Sequence, residues 1–149
     1  MNAVDFIIAD LQKHVDKVLE TYPQLKIRFR KTTTPLSILS ILAKTKSVSS
    51  ILKSPDYLSE TDPYKKYLIL IAKLFSFLSM QLKIDFRKII NTNFVLVTKK
   101  VCEANNLTYG IVYLAILYLL MYLVREYGPS TLLDLTSTLR RVKRAVYVK

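Results

Sequence analysis

Apolar residues recur along most of this chain with the period of a helix. Val4, Ile7, Ile8, Leu11, Val15, Val18 and Leu19 fall at i, i+3, i+4 and i+7 spacing, with Asp, Lys and Glu between them. This predicts an amphipathic first helix that ends near Pro23. Residues 24–34 read as a basic, mobile connection. Thr34-Pro35 is a helix start, a cap residue followed by proline at the first position, and Leu36, Leu39 and Leu42 supply a short apolar face. Ser47 is a candidate cap for a further short piece carrying Val48, Ile51 and Leu52 before Pro55. Asp62-Pro63 repeats the start signal and opens a long helix to about Leu82. Its apolar positions Tyr67, Leu68, Ile71, Leu74, Phe75 and Leu78 cover more than one face, so it is enclosed or lines a groove. Asp85 caps the next predicted helix, with Phe86, Ile90, Phe94, Val97 and Val101 on one side.

From Ala104 to Val124 the chain then runs 21 residues without a charge, between Glu103 and Arg125. A bilayer-spanning helix needs about 20 apolar residues, so length alone allows a span or a buried helix. Asn105, Asn106 and Thr108 crowd the N-terminal end. They leave a continuous apolar stretch of about 14 to 16 residues, which is more typical of a buried core helix. Gly128-Pro129 breaks the chain, and Ser130 caps a last helix with Leu132, Leu135, Leu139, Val142 and Val146 in register. No strand-length alternation competes, and no internal repeat is present. The expected architecture is all-α. One domain spans residues 1–149, with a central hydrophobic helix at about 104–126 wrapped by five or six amphipathic partners.

Composition agrees with a single core. A chain of 149 residues buries about two-thirds of its unfolded surface, and the 51% hydrophobic content with only two glycines disfavours disorder and turn-rich β folds. Asp5 and Asp10 interrupt any apolar leader, so a secretory signal is not expected. Cys102 has no second cysteine to pair with and sits in a helical pattern, which suggests a buried thiol in a reducing compartment. His14 is the only histidine and reads as a solvated side chain on the polar side of the first helix. No second histidine or cysteine completes a metal site, so neither metal nor cofactor is expected. Gly110 and Gly128 are too few for a phosphate-cradling loop, and the eleven carboxylates form no acid/base pair. An enzyme is not expected. Basic residues outnumber acidic ones 23 to 11, for a net charge of +12, which favours polyanions or anionic lipid as partners.

Three segments resemble a known family. The chain begins Ala3-Val4-Asp5-Phe6-Ile7, and Phe75-Ser76-Phe77-Leu78-Ser79-Met80-Gln81-Leu82-Lys83-Ile84 follows further on. From Phe94 an apolar helix leads through Asn106-Leu107-Thr108-Tyr109-Gly110-Ile111-Val112 into the uncharged helix. In this order, over about half the chain, they are similar to the Bcl-2 family of apoptosis regulators, and divergence of this degree is most like a viral prosurvival member. The first resembles that family's N-terminal homology region, and the second the close of its second helix. The third resembles its first homology region, whose signature is Asn-Trp-Gly-Arg followed by Ile-Val.

The departures carry consequences. Tyr109 stands at the signature tryptophan, and Ile111 stands where the family has an arginine that pairs with an aspartate of the death ligand. Such a charge-assisted bond contributes about 1.5 to 3 kcal/mol, so its loss weakens or narrows ligand choice. No Leu-x-x-x-Gly-Asp pattern lies near Pro63 to Phe75, which argues against a pro-death trigger role. Because the C-terminal residues are basic, a hydrophobic tail anchor is not expected.

The resemblance implies a Bcl-2-like helical bundle that inhibits apoptosis by sequestering the amphipathic BH-3 helices of pro-apoptotic partners, in the host cytoplasm or at the mitochondrial surface. Helix-in-groove recognition would take the ligand's apolar residues at i, i+3 or i+4, and i+7 into successive pockets. On this mapping Tyr67, Ile71, Leu74, Phe75 and Leu78 form one wall, Val97 and Val101 the other, and Tyr109, Gly110 and Val112 the base. A Cβ at Gly110 would push an approaching ligand helix away. Plain core packing of the same apolar residues gives the same periodicity. An exposed groove is also a large apolar patch that invites self-association as a homodimer. Two alternatives stand beside this. Leu139 to Lys149 carries five basic residues on an amphipathic pattern, as nucleic-acid arms and membrane-surface helices do, with nucleic acid the less expected. A scaffold or immune modulator of the same fold would use an outer face instead of the groove.

Overall fold

The computed structural model describes residues 2–30 and 33–147, with side chains described through Lys143. Eight α-helices follow in order: α1 Ala3–Thr21, α2 Pro35–Lys44, α3 Pro55–Ser59, α4 Pro63–Leu82, α5 Phe86–Ile90, α6 Phe94–Ala104, α7 Leu107–Tyr127 and α8 Thr131–Tyr147. Among the described residues there is no strand. Two short 3-10 helices, Pro23–Ile27 and Ser49–Lys53, lie on either side of α2.

Local chemistry sets most of the ends. The Asn2 side chain accepts from the Asp5 N–H at 2.9 Å and starts α1. Thr34 and Ser37 form a capping box at α2, with Pro35 at the first position. Asp62 caps α4 through the Tyr64 N–H, Asn93 caps α6 through Leu96, and Asn106 caps α7 through Thr108. Each cap satisfies a donor that the first helical turn leaves without a partner. Lys83 (φ 53°) and Asn105 (φ 48°) end α4 and α6 in the left-handed region, and Gly128 at φ 94° ends α7. The central helix thus begins at Leu107 and not at 104, because Asn105 and Asn106 are used to close one helix and open the next.

Helix α7 is the axis of the molecule. By length and composition it could cross a membrane, yet 72% of its most apolar window is buried. From Gly110 to Val124 only Tyr118 and Tyr122 are not fully buried. Helices α1, α2, α4, α6 and α8 pack around it. They remove the apolar surface that water would otherwise face, the dominant favourable term in folding. The expectation of a buried central helix with amphipathic partners agrees with this arrangement.

Three details differ from expectation. Residues 24–34 are not wholly a loose connection: Pro23–Ile27 is helical, and Leu25 and Phe29 are buried at 1% and 2% exposure. Phe29 stacks on Tyr118 of α7 with ring centroids 5.5 Å apart, so two anchors too few to show periodicity tie this segment down. The helix expected from Asp85 is broken in two at Asn91–Asn93, where Thr92 takes φ 54°. Three short polar residues that compete for backbone hydrogen bonds favour a break there over a continuous helix. Val48, not Ser47, stands at the cap of Ser49–Lys53, and α3 carries one buried residue, Tyr57. In α8, Leu135 and Leu139 are buried and Leu132 and Val142 half-buried, while the side chain of Val146 lies outside the described residues.

Candidate functional site

Eight of the ten residues assigned to a ligand groove lie inside the molecule. Ile71, Leu74, Phe75 and Leu78 of α4, Val97 and Val101 of α6, and Gly110 and Val112 of α7 are buried, and only Tyr67 and Tyr109 are half-exposed. They do not wall an open groove in this conformation. The reason is the enclosure of α4, which packs against α7 and also lies along α8. Leu68, Leu70, Ala72 and Ser79 are therefore buried on α4 as well. Of the ten, Tyr67 alone lines a cleft among the described ones, a space of about 450 Å³ shared with Leu39, Tyr57 and Lys66.

Gly110 is glycine for an internal reason. A Cβ there would stand 3.0 Å from Tyr22 Cδ2, 3.2 Å from its Cε2 and 3.3 Å from Leu25 Cδ1. The place expected to receive a ligand helix is filled by the chain's own Tyr22 and Leu25. Tyr22 also joins two helices: its hydroxyl donates to the Val101 carbonyl at 2.9 Å and accepts the Asn106 N–H at 3.0 Å. Burial raises the pKa of this phenol, against the opposing hydrogen bond from Asn106. Sequence periodicity missed Tyr22 because it falls after the last turn of α1.

The seam between α4 and the α6–α7 corner is closed mainly by rings. Phe75 meets Phe94 at 6.2 Å between centroids, and Phe77 meets Tyr109 edge-on at 6.3 Å. At its outer edge the Tyr109 hydroxyl donates to Gln81 Oε1 at 3.3 Å, a long and exposed hydrogen bond. Phe77 and Tyr109 are half-buried, and Met80 beside them is 66% exposed. Of this lip only Tyr109 belongs to the expected site; Phe77 and Met80 lie beside it on α4.

His14 is not solvated; it is 9% exposed and belongs to a polar network spanning three helices. Its Nδ1 lies 2.9 Å from Thr98 Oγ1, which donates to the Phe94 carbonyl at 2.7 Å and lies 2.8 Å from the Tyr113 hydroxyl. Three protons satisfy these contacts if His14 carries its hydrogen on Nδ1 and Tyr113 donates to Thr98. His14 Nε2 then faces Asp10 at 3.8 Å. Burial lowers the histidine pKa, opposed by Asp10 and helped by Lys13. Burial pushes the Tyr113 phenol well above its usual value. Above the network lies a mostly apolar cleft of about 400 Å³ between α1 and α6, with Lys17, Val95, Lys99, Cys102 and Glu103 at its rim. Cys102, expected to be buried, is partly exposed there, its Sγ 4.0 Å from the Lys17 carbonyl.

Two polar ties close the far side. Tyr64 donates to Asp134 Oδ2 at 2.6 Å, joining α4 to α8. Burial, then that carboxylate, push the Tyr64 pKa up to about 12. Lys73 pairs with Asp56 at 3.1 Å, joining α4 to α3. Burial works against ionisation of Asp56, but the Lys73 hydrogen bond and charge hold its carboxyl below the usual range. Among the described residues no group of three or more His, Cys, Asp or Glu side chains could hold a metal. The basic segment from Arg144 onward lies outside the described side chains.

No family model matches this chain, and neither a curated protein nor a solved structure matches it.

Proposed function

We propose that this protein inhibits cell death by capturing the amphipathic BH-3 helix of a pro-apoptotic partner, as a divergent Bcl-2-like regulator acting by binding alone. The observation that carries the reading is the lip formed by Phe77, Met80 and Tyr109, where α4 meets the corner leading into the enclosed helix α7. The ordered resemblance of α1, α4 and the α6–α7 corner to that family supports it. The groove would open along the ring-closed seam, bringing the buried faces of α4 and α6 to the ligand. Tyr22 and Leu25 would remain beneath it as the support of Gly110.

The test is titration of fluorescent BH-3 peptides with the full chain. Binding in the micromolar range or tighter is expected, and no binding of any peptide at tens of micromolar removes the proposal. Because the ligand must first open the seam, apparent affinity falls by the fraction of molecules open. Tyr109→Phe removes the outer hydrogen bond to Gln81, a contribution of about 0.5–1.5 kcal/mol. The bond is long and exposed, so its loss should tighten peptide binding only about twofold. Weaker binding by that variant would mean that the hydroxyl contacts the ligand directly.

Burial of eight of the ten expected groove residues favours a second reading, a scaffold of the same design acting through an outer face. That reading predicts no BH-3 binding by either protein.

A further inference from the structure

Between Glu20 and Asp56 the chain contains no acidic residue and seven basic ones: Lys26, Arg28, Arg30, Lys31, Lys44, Lys46 and Lys53. This stretch has a defined surface. Lys26, Arg28 and Arg30 are exposed around the 3-10 helix Pro23–Ile27, and Lys44 and Lys46 are exposed at the end of α2. Arg28 and Lys44 line one cleft of about 300 Å³ with Ser40 and Ile41, so the two basic groups share a face. None of these five cations enters an ion pair among the described residues; the four pairs made by lysine or arginine lie elsewhere, at Lys17, Lys73, Arg87 and Lys99. An uncompensated basic face of this kind attracts an anionic partner.

The apolar residues beside the charges select the class of partner. Ile27, between Lys26 and Arg28, is 73% exposed, and Leu36 is 76% exposed. Leu36, Ser40 and Lys44 follow one another at i+4 along α2, which puts Leu36 in the row that leads to the basic cleft. The aromatic residues of the segment, Tyr22 and Phe29, are buried at 3% and 2% exposure, so no ring is presented for a base to stack on. Exposed aliphatic tips among unpaired cations match a headgroup layer, where the charges meet lipid anions and the tips reach the acyl boundary.

We propose that the Lys26–Lys46 face docks this protein on an anionic lipid bilayer. The docking is independent of BH-3 capture, because the α4–α6–α7 lip shares no residue with it. A Lys or Arg near such a surface contributes about fivefold in partitioning.

Co-sedimentation of the full chain with lipid vesicles tests it. Vesicles of equal parts phosphatidylcholine and phosphatidylserine should bind the protein, and pure phosphatidylcholine vesicles should not. The triple variant Lys26→Gln, Arg28→Gln, Lys44→Gln should lose about a hundredfold, three factors of about five. The matched variant Lys83→Gln, Lys88→Gln, Lys100→Gln, equal in net charge but outside the Lys26–Lys46 stretch, should change binding by less than about threefold, since a charge not in contact with the headgroup layer is screened. All six side chains are exposed, so thermal unfolding checks that both variants fold. Ile27→Ser with Leu36→Ser should weaken vesicle binding while leaving binding to random duplex DNA unchanged. Equal loss in both triple variants, equal binding to neutral vesicles, or no effect of the Ile27 and Leu36 pair would each overturn the proposal. The last result, with DNA binding lost in the first triple variant, would make the face a nucleic-acid surface.

Discussion

Gly110 and His14 mark where reading single residues succeeds and where it stops. Gly110 stands out in the sequence as a position intolerant of a side chain, and it is so, but the neighbour that enforces this is Tyr22, 88 positions earlier, and not a ligand. Gly110→Ala places a methyl 3.0 Å from that ring. Such overpacking costs about 1–3 kcal/mol, an outcome that urea unfolding measures directly. His14 reads as solvated in the sequence because its partners Thr98 and Tyr113 are distant along the chain, and a polar residue within an amphipathic pattern gives no sign of them. Its titration has a definite sign. Burial holds the folded pKa below the unfolded value of about 6.5. The unfolded chain therefore takes up the proton first as pH falls, and stability declines below about pH 6.5 until the folded form is protonated too. Asp56, with its pKa depressed, contributes stability that is lost only as pH falls below about 3.9. His14→Asn, whose amide reaches the Nδ1 position, should flatten the first window in stability measured against pH. An unchanged slope would place the titration elsewhere.

At the scale of elements, the strong signals were local ones. The starts at Thr34-Pro35 and Asp62-Pro63 and the amphipathic face of α1 were legible because caps and periodicity act within a few residues. The division of α5 from α6 and the helical turn at Pro23–Ile27 were not. The first depends on three polar residues taking an irregular path, and the second on Leu25 and Phe29 finding α7 in space. The groove assignment met the same limit, since periodicity marks an apolar face without saying whether helix or solvent covers it. One tie between elements makes a prediction. Tyr64→Phe removes the 2.6 Å hydrogen bond from α4 to Asp134 of α8. Hydrogen bonds to charged groups contribute about 1.5–3 kcal/mol, and the exposure of Asp134 puts this one at the lower end. Thermal unfolding should therefore show a lower Tm with the helix content unchanged.

For the whole molecule, the decisive property is the enclosure of an uncharged helix in a strongly basic shell. Enclosure answers the ambiguity between span and core, because the apolar sides of α7 are covered by helices of the same chain. It also keeps the expected ligand site shut, with eight of its ten residues buried and only Tyr67 and Tyr109 of the ten partly exposed. Capture of a helix then requires opening that seam. The most direct measurement is amide hydrogen exchange of the full chain with and without a saturating BH-3 peptide. Helix capture predicts faster exchange at α5 and the start of α6 than in α7 for the free protein, with new protection on the peptide confined to α4, α6 and the first turns of α7. No change in exchange at that seam, with any peptide of the panel, would contradict it.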